Sequence, residues 1–257
     1  MQKKGAPPGT PPPQPGRLFV VGVGPGGPRD RTLRAREAIA ASDCVVGYTR
    51  YLELVKDLTP GKELIATGMT RERERCRLAL ERAQAGQTVS LVSSGDPGVY
   101  GMAGLVLELM ASAGIDLSVE IVPGVTAASA LAARLGAPLA CDFAVISLSD
   151  LLVPWQQIRA RLEAVAAADL VVALYNPRSQ KRTRQLAEAA AIFLRHRPGT
   201  TPVGVGTALG SPEEQVLLSD LDHLLELPIA MRSIVIVGNR ATRRVGNRLV
   251  TSRGYGV

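Results

Sequence analysis

The chain has 257 residues, 46% of them hydrophobic, which is enough for one large or two modest globular cores. A net charge of +7 favours a polyanionic partner, but aromatics at 4% are too few for a base-stacking nucleic-acid surface. No apolar run reaches the roughly 18 residues that span a bilayer, so a cytoplasmic protein without membrane contact is expected.

Arginine dominates the positive charge and is scattered, which suits discrete carboxylate or phosphate clamps. Cys44, Cys76 and Cys141 lie far apart with no histidine at ligand spacing. They predict three buried free thiols and no metal site.

Residues 1–16 are rich in Pro and Gly and read as a disordered tail. A regular alternation follows. Residues 18–22 form a short apolar run ending in glycine, which reads as a buried strand. Residues 31–41 have helical spacing, and 44–46 is another short strand. Residues 71–85 form an amphipathic helix, 88–93 a strand and 101–113 a helix. Residues 117–122 are a strand and 126–135 a helix. The second half repeats the theme: strand 143–148, helix 155–167, strand 170–175 and a long helix at 179–194. Strands at 203–207 and 234–237 close it, with a short helix near 213–218. Such alternation argues for an α/β fold with mainly parallel sheets. The domain boundary is expected near Pro123-Gly124, giving domains 17–123 and 124–257.

Four groups of residues could carry chemistry. VVGVGPGGP (20–28) satisfies G-x-G-x-x-G through Gly22, Gly24 and Gly27, after a strand and before a helix. Pro25 removes an amide from the loop that should cradle a pyrophosphate, and Asp43 precedes its strand, where a ribose-binding acid would follow it. A dinucleotide is therefore disfavoured, and a tight turn without ligand is the alternative. SSGDPGVYGMAG (93–104) sits at a strand's carboxyl end, with Asp96 as an acceptor for a hydroxyl or an ammonium group. IVPGVTAASA (121–130) turns at Pro123-Gly124, and Thr126 is placed to cap the small-residue helix that follows.

The fourth group is ISLSD (146–150) and LYNPRS (174–179), two strand ends bearing hydroxyls, Asp150, Tyr175, Asn176 and Arg178. Lys181, Arg182 and Arg184 then begin the long helix with three cations, a placement the helix dipole opposes. Arg240, Arg243 and Arg244 add charge after the last strand. No nucleophilic triad can be built around the two histidines, His196 and His223, so the chemistry must need little acid–base help. Methyl transfer from a sulfonium to a nucleophilic carbon is such a reaction, since positioning supplies much of the rate.

Taken in order, GVGPGGPRDRTLRA, SSGDPGVYG, PGVTAA, ISLSD and LYNPRS resemble the tetrapyrrole methylases, over residues 17 to about 250. ISLSD followed by Pro154-Trp155, together with LYNPRS, is similar to the branch that methylates carbon 17 of precorrin-3B. The resemblance implies two α/β domains with the active site in the cleft between them, a homodimer, and S-adenosylmethionine as cofactor. It implies cofactor contacts at Pro25, at Gly95, Asp96 and Val99, at Thr126 and Ala127, at Tyr175 or Asn176, and at Gly210. The implied substrate is a precorrin, methylated with ring contraction to precorrin-4. Ser149 and Asp150 are the candidates for its polar ring groups. Arg50, Arg71, Arg178 and Arg182 are the candidates for its peripheral carboxylates.

The uroporphyrinogen methylases of this family carry an Asp after the second strand and a Lys further on. Here those places are Gly47-Tyr48 and Gly68-Met69, which argues against uroporphyrinogen and leaves a general base unassigned. The alternatives are the cobalt-precorrin-3 enzyme of the anaerobic route, an RNA methyltransferase of the same fold, an NAD(P)-dependent oxidoreductase and a non-catalytic binding module.

Overall fold

A computed structural model describes residues 16–255. The predicted tail lies outside the described residues except for Gly16. The chain separates into two compact units. One holds the chain through Val23 together with Thr32–Gly124, and the other holds Gly24–Arg31 with the chain from Val125 onward.

The first unit is built on β1 (Arg17–Gly22), β2 (Cys44–Tyr48), β3 (Glu63–Thr67), β4 (Thr88–Ser93) and β5 (Ser118–Val122). They form one sheet in the order β3-β2-β4-β1-β5, and every pairing is parallel. The continuous apolar runs of β1 and β2 follow from burial on both faces. Leu18 and Val20 enter one core with α3 (Glu72–Gln84) and α4 (Ala103–Ala113). Phe19 and Val21 enter the other with α1 (Leu33–Ala40) and α2 (Thr49–Glu53).

Local signals set the helix ends. The Thr32 hydroxyl accepts from Ala35 N–H (3.1 Å) at the start of α1. Gly114, at φ 61°, stops α4 in the left-handed conformation. Strand β3, which the apolar pattern does not reveal, is an edge strand with mostly exposed residues.

The second unit contains α5 (Ala127–Leu135), β6 (Gly136–Ala137), β7 (Phe143–Ser147), α6 (Trp155–Ala167), β8 (Val171–Tyr175) and α7 (Gln185–Leu194). It continues with β9 (Pro202–Thr207), β10 (Gln215–Asp220), β11 (Ser233–Val237), β12 (Thr242–Val245) and β13 (Arg248–Thr251). The main sheet runs β10-β9-β11-β8-β7. Only β7 and β8 are parallel; β11 is antiparallel to both β8 and β9, and β10 to β9. The expectation of a mainly parallel sheet fails here because short connections replace helical crossovers after β9.

Two further corrections concern this unit. The segment near 213–218 is strand β10: Val216 and Leu218 alternate onto the core, a period of two that the Pro-containing turn before it obscures. Helix α7 starts at Gln185, six residues later than predicted. Ser179 N–H donates to Arg182 O, and Arg182 N–H donates to Ser179 Oγ, each at 3.0 Å. That closed loop takes Lys181 and Arg182 out of the helix, while Arg184 stays at the N-cap position of α7 and lies 3.9 Å from the Glu188 carboxylate.

Among the described residues no helix is long and apolar enough to cross a membrane. Cys44 and Cys76 are buried, but Cys141 is partly exposed, contrary to the expectation of three buried thiols. It follows strand β6 in a turn, outside either face of a sheet. Burial pushes the Cys44 and Cys76 thiols up to about 11. A thiol-specific reagent at pH 8 should therefore label Cys141 quickly in the native protein. Cys44 and Cys76 should react only on unfolding, which peptide mapping would check.

Candidate active site

In the first unit the loops after β1, β4 and β5 converge at the carboxyl end of the sheet, where open α/β sheets bind ligands. They touch through glycine. A Cβ at Gly124 would lie 2.1 Å from Gly95 O, and one at Gly22 would lie 2.7 Å from Gly95 O and from Gly124 N. Asp96 ties the loops together: Oδ1 accepts from Gly98 N–H (2.7 Å) and Oδ2 from Gly124 N–H (3.0 Å). Each oxygen keeps further acceptor capacity. Gly95 has φ 64° and Tyr100 φ 55°, so the Gly95–Tyr100 segment leaves the strand through two left-handed residues, with Val99 partly buried between them.

In the second unit the glycine loop serves packing. A Cβ at Gly26 would lie 2.3 Å from Leu209 O, and one at Gly27 would lie 2.3 Å from Gly210 O. The backbone of the turn after β9 packs directly against these two glycines. Gly210, at φ 75°, donates its N–H to Glu214 Oε2. Arg134 on α5 braces both loops, with Nε on Glu214 Oε1 and Nη2 on Asp30 Oδ2, each at 2.9 Å. Pro25 lies in this braced loop, partly exposed.

The Arg134 hydrogen bond holds the Glu214 carboxyl below its usual value of 4.5. A group with a lowered folded pKa contributes stability above its unfolded pKa and loses it as pH falls through the folded one. The Glu214 contribution should therefore be complete at neutral pH and fade below pH 4.5. The stability of Glu214→Gln should fall less steeply than that of the parent below that pH, as acid titration followed by circular dichroism would show.

The motifs ISLSD and LYNPRS meet on neighbouring parallel strands, with Ser147 opposite Tyr175. Asn176, at φ 51°, donates Nδ2–H to Ser147 Oγ (3.0 Å). Asp150 Oδ2 accepts from Gln185 Nε2 (2.9 Å), and Ser149 lies 3.4 Å from Arg182 Nη1. Thr126 occupies the cap position of α5, but its side chain makes no cap bond. Tyr175 does this instead: its phenol oxygen accepts from Ala128 N–H (2.9 Å) and hydrogen-bonds Thr126 Oγ1. A bulky hydroxyl reaching in from β8 displaces the local cap, which no local spacing reveals.

Of the four candidate arginines, Arg50 and Arg71 stand exposed on the first unit, and Arg71 pairs with Glu74. Arg178 is exposed on the second unit. Arg182 is only 8% exposed, and its Nε donates to Asn176 O (2.7 Å). Burial pushes its guanidinium pKa down, opposed by the nearby Asp150 charge. It holds the end of β8.

The two histidines pair with carboxylates: His196 with Glu163 at 3.2 Å and His223 with Asp220 at 2.6 Å. Asp43, set aside as a ribose ligand, accepts from Thr88 N–H (2.9 Å). At Gly47 a Cβ would lie 2.7 Å from Val92 Cγ2 and 3.1 Å from Leu52 Cδ2, so packing leaves no space for an acid there.

The strand-end loops thus present hydroxyls, backbone amides and one carboxylate, without a lysine or arginine in 20–28 or 93–99. That donor set suits a small cationic or neutral ligand with hydroxyls. The chain belongs to the tetrapyrrole (corrin/porphyrin) methylases, whose family model matches residues 17–225.

A probable cobalt-factor III C(17)-methyltransferase of Salmonella typhimurium is 48% identical over 93% of this chain and 99% of its own length. A precorrin-3B C(17)-methyltransferase of a Sinorhizobium species is 43% identical over 90% of this chain and 91% of its own. A cobalt-factor III methyltransferase of Priestia megaterium is 45% identical over 93% of this chain, which spans 45% of that protein. Among solved structures, the methyltransferase CobJ matches with a TM-score of 0.86 at 37% identity, over 92% of this chain and 100% of that one. A Thermus thermophilus uroporphyrin-III C-methyltransferase solved with S-adenosylhomocysteine matches with a TM-score of 0.69 at 28% identity, over 87% and 97%.

Proposed function

We propose that this chain is an S-adenosylmethionine-dependent C-methyltransferase of cobalamin biosynthesis. It methylates carbon 17 of precorrin-3B, with contraction of the macrocycle to precorrin-4. The observation that carries this reading is the likeness, over almost the full length of each protein, to relatives named for C(17) methylation. The cobalt-bearing substrate of the anaerobic route is the second reading. The higher identity of the Salmonella relative, 48% against 43%, favours it. The cobalt would then belong to the substrate.

When bound, S-adenosylmethionine supplies an electrophilic methyl group on a sulfonium, and the nucleophile is an enamine-like carbon of the substrate. The chain's part is positioning. In this reading Gly95, Asp96, Val99, Pro25, Thr126, Ala127, Tyr175, Asn176 and Gly210 are the residues that contact the donor. Asp96 keeps its loop in place by bonding Gly98 and Gly124. Tyr175 fixes Thr126 and Ala127 by capping α5.

Ser149 and Asp150 face polar groups of the ring. Arg50, Arg71 and Arg178 take peripheral carboxylates. Arg182 acts through Asn176, as a positioning residue. The working form in this reading is a cytoplasmic homodimer, which light scattering would test.

Calorimetric titration with S-adenosylhomocysteine, NAD and NADP tests the cofactor. Micromolar binding of S-adenosylhomocysteine alone is expected. Binding of a nicotinamide dinucleotide would overturn the reading.

A further inference from the structure

Arg75 on α3 is 2% exposed, yet it makes no ion pair among the described residues. All its partners are neutral. Nε donates to Thr67 Oγ1 (2.7 Å), Nη2 donates to Gly68 O (2.8 Å), and Nη1 lies 3.5 Å from Met102 Sδ. The guanidinium carbon sits 5.8 Å from the centre of the Tyr48 ring.

A buried cation without a counter-ion carries a large desolvation cost, and an apolar side chain of similar volume usually does better at such a place. The other buried arginine of comparable depth, Arg197, has its acid in Asp169. The uncompensated charge at Arg75 therefore needs another reason. Its place supplies one. Tyr48 ends β2 and Thr67 ends β3, so Arg75 lies under the carboxyl edge of the sheet, where ligands bind.

Above it the chain is open. Gly68, Met69 and Thr70 are exposed, Tyr48 is partly exposed, and Thr70 is held at φ 63°. Arg50, two residues beyond Tyr48, adds a second, exposed cation. Where an acid side chain might have neutralised the edge, Gly47 has no room for one.

We infer that Tyr48 and the Gly68–Thr70 turn form a carboxylate-binding position, with Arg75 as the fixed positive charge beneath it. The inference rests on the tetrapyrrole reading above, and the ligand is an acetate or propionate arm of that substrate. Arg75 is almost fully buried and acts through what it holds: it anchors Thr67 and Gly68, faces the Tyr48 ring, and biases the local potential toward an anion. The Tyr48 hydroxyl makes the contact. The missing counter-ion is thus the substrate itself.

The test uses the full chain and three variants, Arg75→Met, Arg75→Lys and Tyr48→Phe. Melting temperature, S-adenosylhomocysteine affinity, and KM and kcat for precorrin-3B or cobalt-factor III are measured on each. Arg75→Met should fold, since methionine suits a buried site. It should bind S-adenosylhomocysteine as the parent does and raise the substrate KM about tenfold, equivalent to ~1.4 kcal/mol. Arg75→Lys should recover part of that loss, and Tyr48→Phe should raise KM by a smaller factor.

Added salt should raise the parent's KM more steeply than that of Arg75→Met. An unchanged KM in Arg75→Met would overturn the inference, as would parallel loss of S-adenosylhomocysteine affinity. Should Arg75→Met fold poorly, an unchanged KM in Tyr48→Phe together with a parent KM that does not respond to salt would overturn it. If the parent binds S-adenosylhomocysteine but methylates neither corrin, the functional reading fails first and the inference falls with it.

Discussion

Arg197→Ala is expected to lower the melting temperature by on the order of 10 °C, the largest loss of stability from any single arginine in the chain. The Arg197 side chain is fully buried beside Phe193, with its guanidinium carbon 5.0 Å from the ring centre. Its Nη1 donates to Gly238 O, and its Nη2 donates to Leu170 O (2.6 Å) and to Val165 O (3.4 Å).

Those carbonyls lie just past β11, just before β8 and near the end of α6, so one side chain ties three elements of the second unit. Asp169, itself at φ 53°, supplies the counter-ion 3.7 Å away. Burial pushes the guanidinium pKa down and Asp169 pulls it back up. Truncation removes the guanidinium donor from the Gly238 and Leu170 carbonyls, while Val165 O keeps the Leu170 N–H (3.1 Å), and it leaves the carboxylate without its cation, at a cost of roughly 3–5 kcal/mol. Differential scanning calorimetry would measure it. A shift of a degree or two would mean that water replaces the guanidinium easily, contrary to the burial seen here.

Gly124→Ala should have the second large effect, and it should strike binding as well as stability. The new Cβ would fall 2.1 Å from Gly95 O, a backbone atom that no side-chain rotation can move aside. The loop bearing Gly95 and Asp96 must shift, and Asp96 Oδ2 then loses the Gly124 N–H. Strain of this kind costs typically 1–3 kcal/mol. Since Gly95 and Asp96 belong to the proposed donor site, S-adenosylhomocysteine affinity should fall at least about tenfold, or ~1.4 kcal/mol. Gly104→Ala is the control, because a Cβ there meets nothing within 4 Å. Equal affinity in parent and Gly124→Ala would remove Gly95 and Asp96 from the site.

The sequence conveyed most of the first unit because its central strands are apolar on both faces and its helices carry local end signals. Runs such as LFVV need no tertiary knowledge to be read as buried strands, and Thr32 and Gly114 mark helix ends by their own chemistry. Edge strands were harder. Glu63–Thr67 has little apolar pattern because little of it is buried. In the second unit, strand direction depends on the length of connections, which the apolar period does not encode.

The site was legible as motifs and only partly as roles. Spacing could show that Tyr175 and Thr126 are notable, but not that the phenol displaces the threonine as the cap of α5. Arg182 reads as a surface cation until the loop around Ser179 turns it inward. Gly22, Gly24 and Gly27 imitate a phosphate loop, and only the structure shows Gly27 packed against the backbone of Gly210. Arg75 carries no signal in the sequence, since it sits in a helix with several other arginines. A missing counter-ion becomes visible only in three dimensions.

The central claim is methyl transfer to carbon 17 of a corrin precursor. It is tested most directly by incubating the purified chain with S-adenosylmethionine labelled in its methyl group and either precorrin-3B or cobalt-factor III, and locating the label by NMR. The account predicts label on carbon 17 of a ring-contracted product, from at least one of the two substrates. Label at another carbon, or none in either while S-adenosylhomocysteine binds normally, would contradict it.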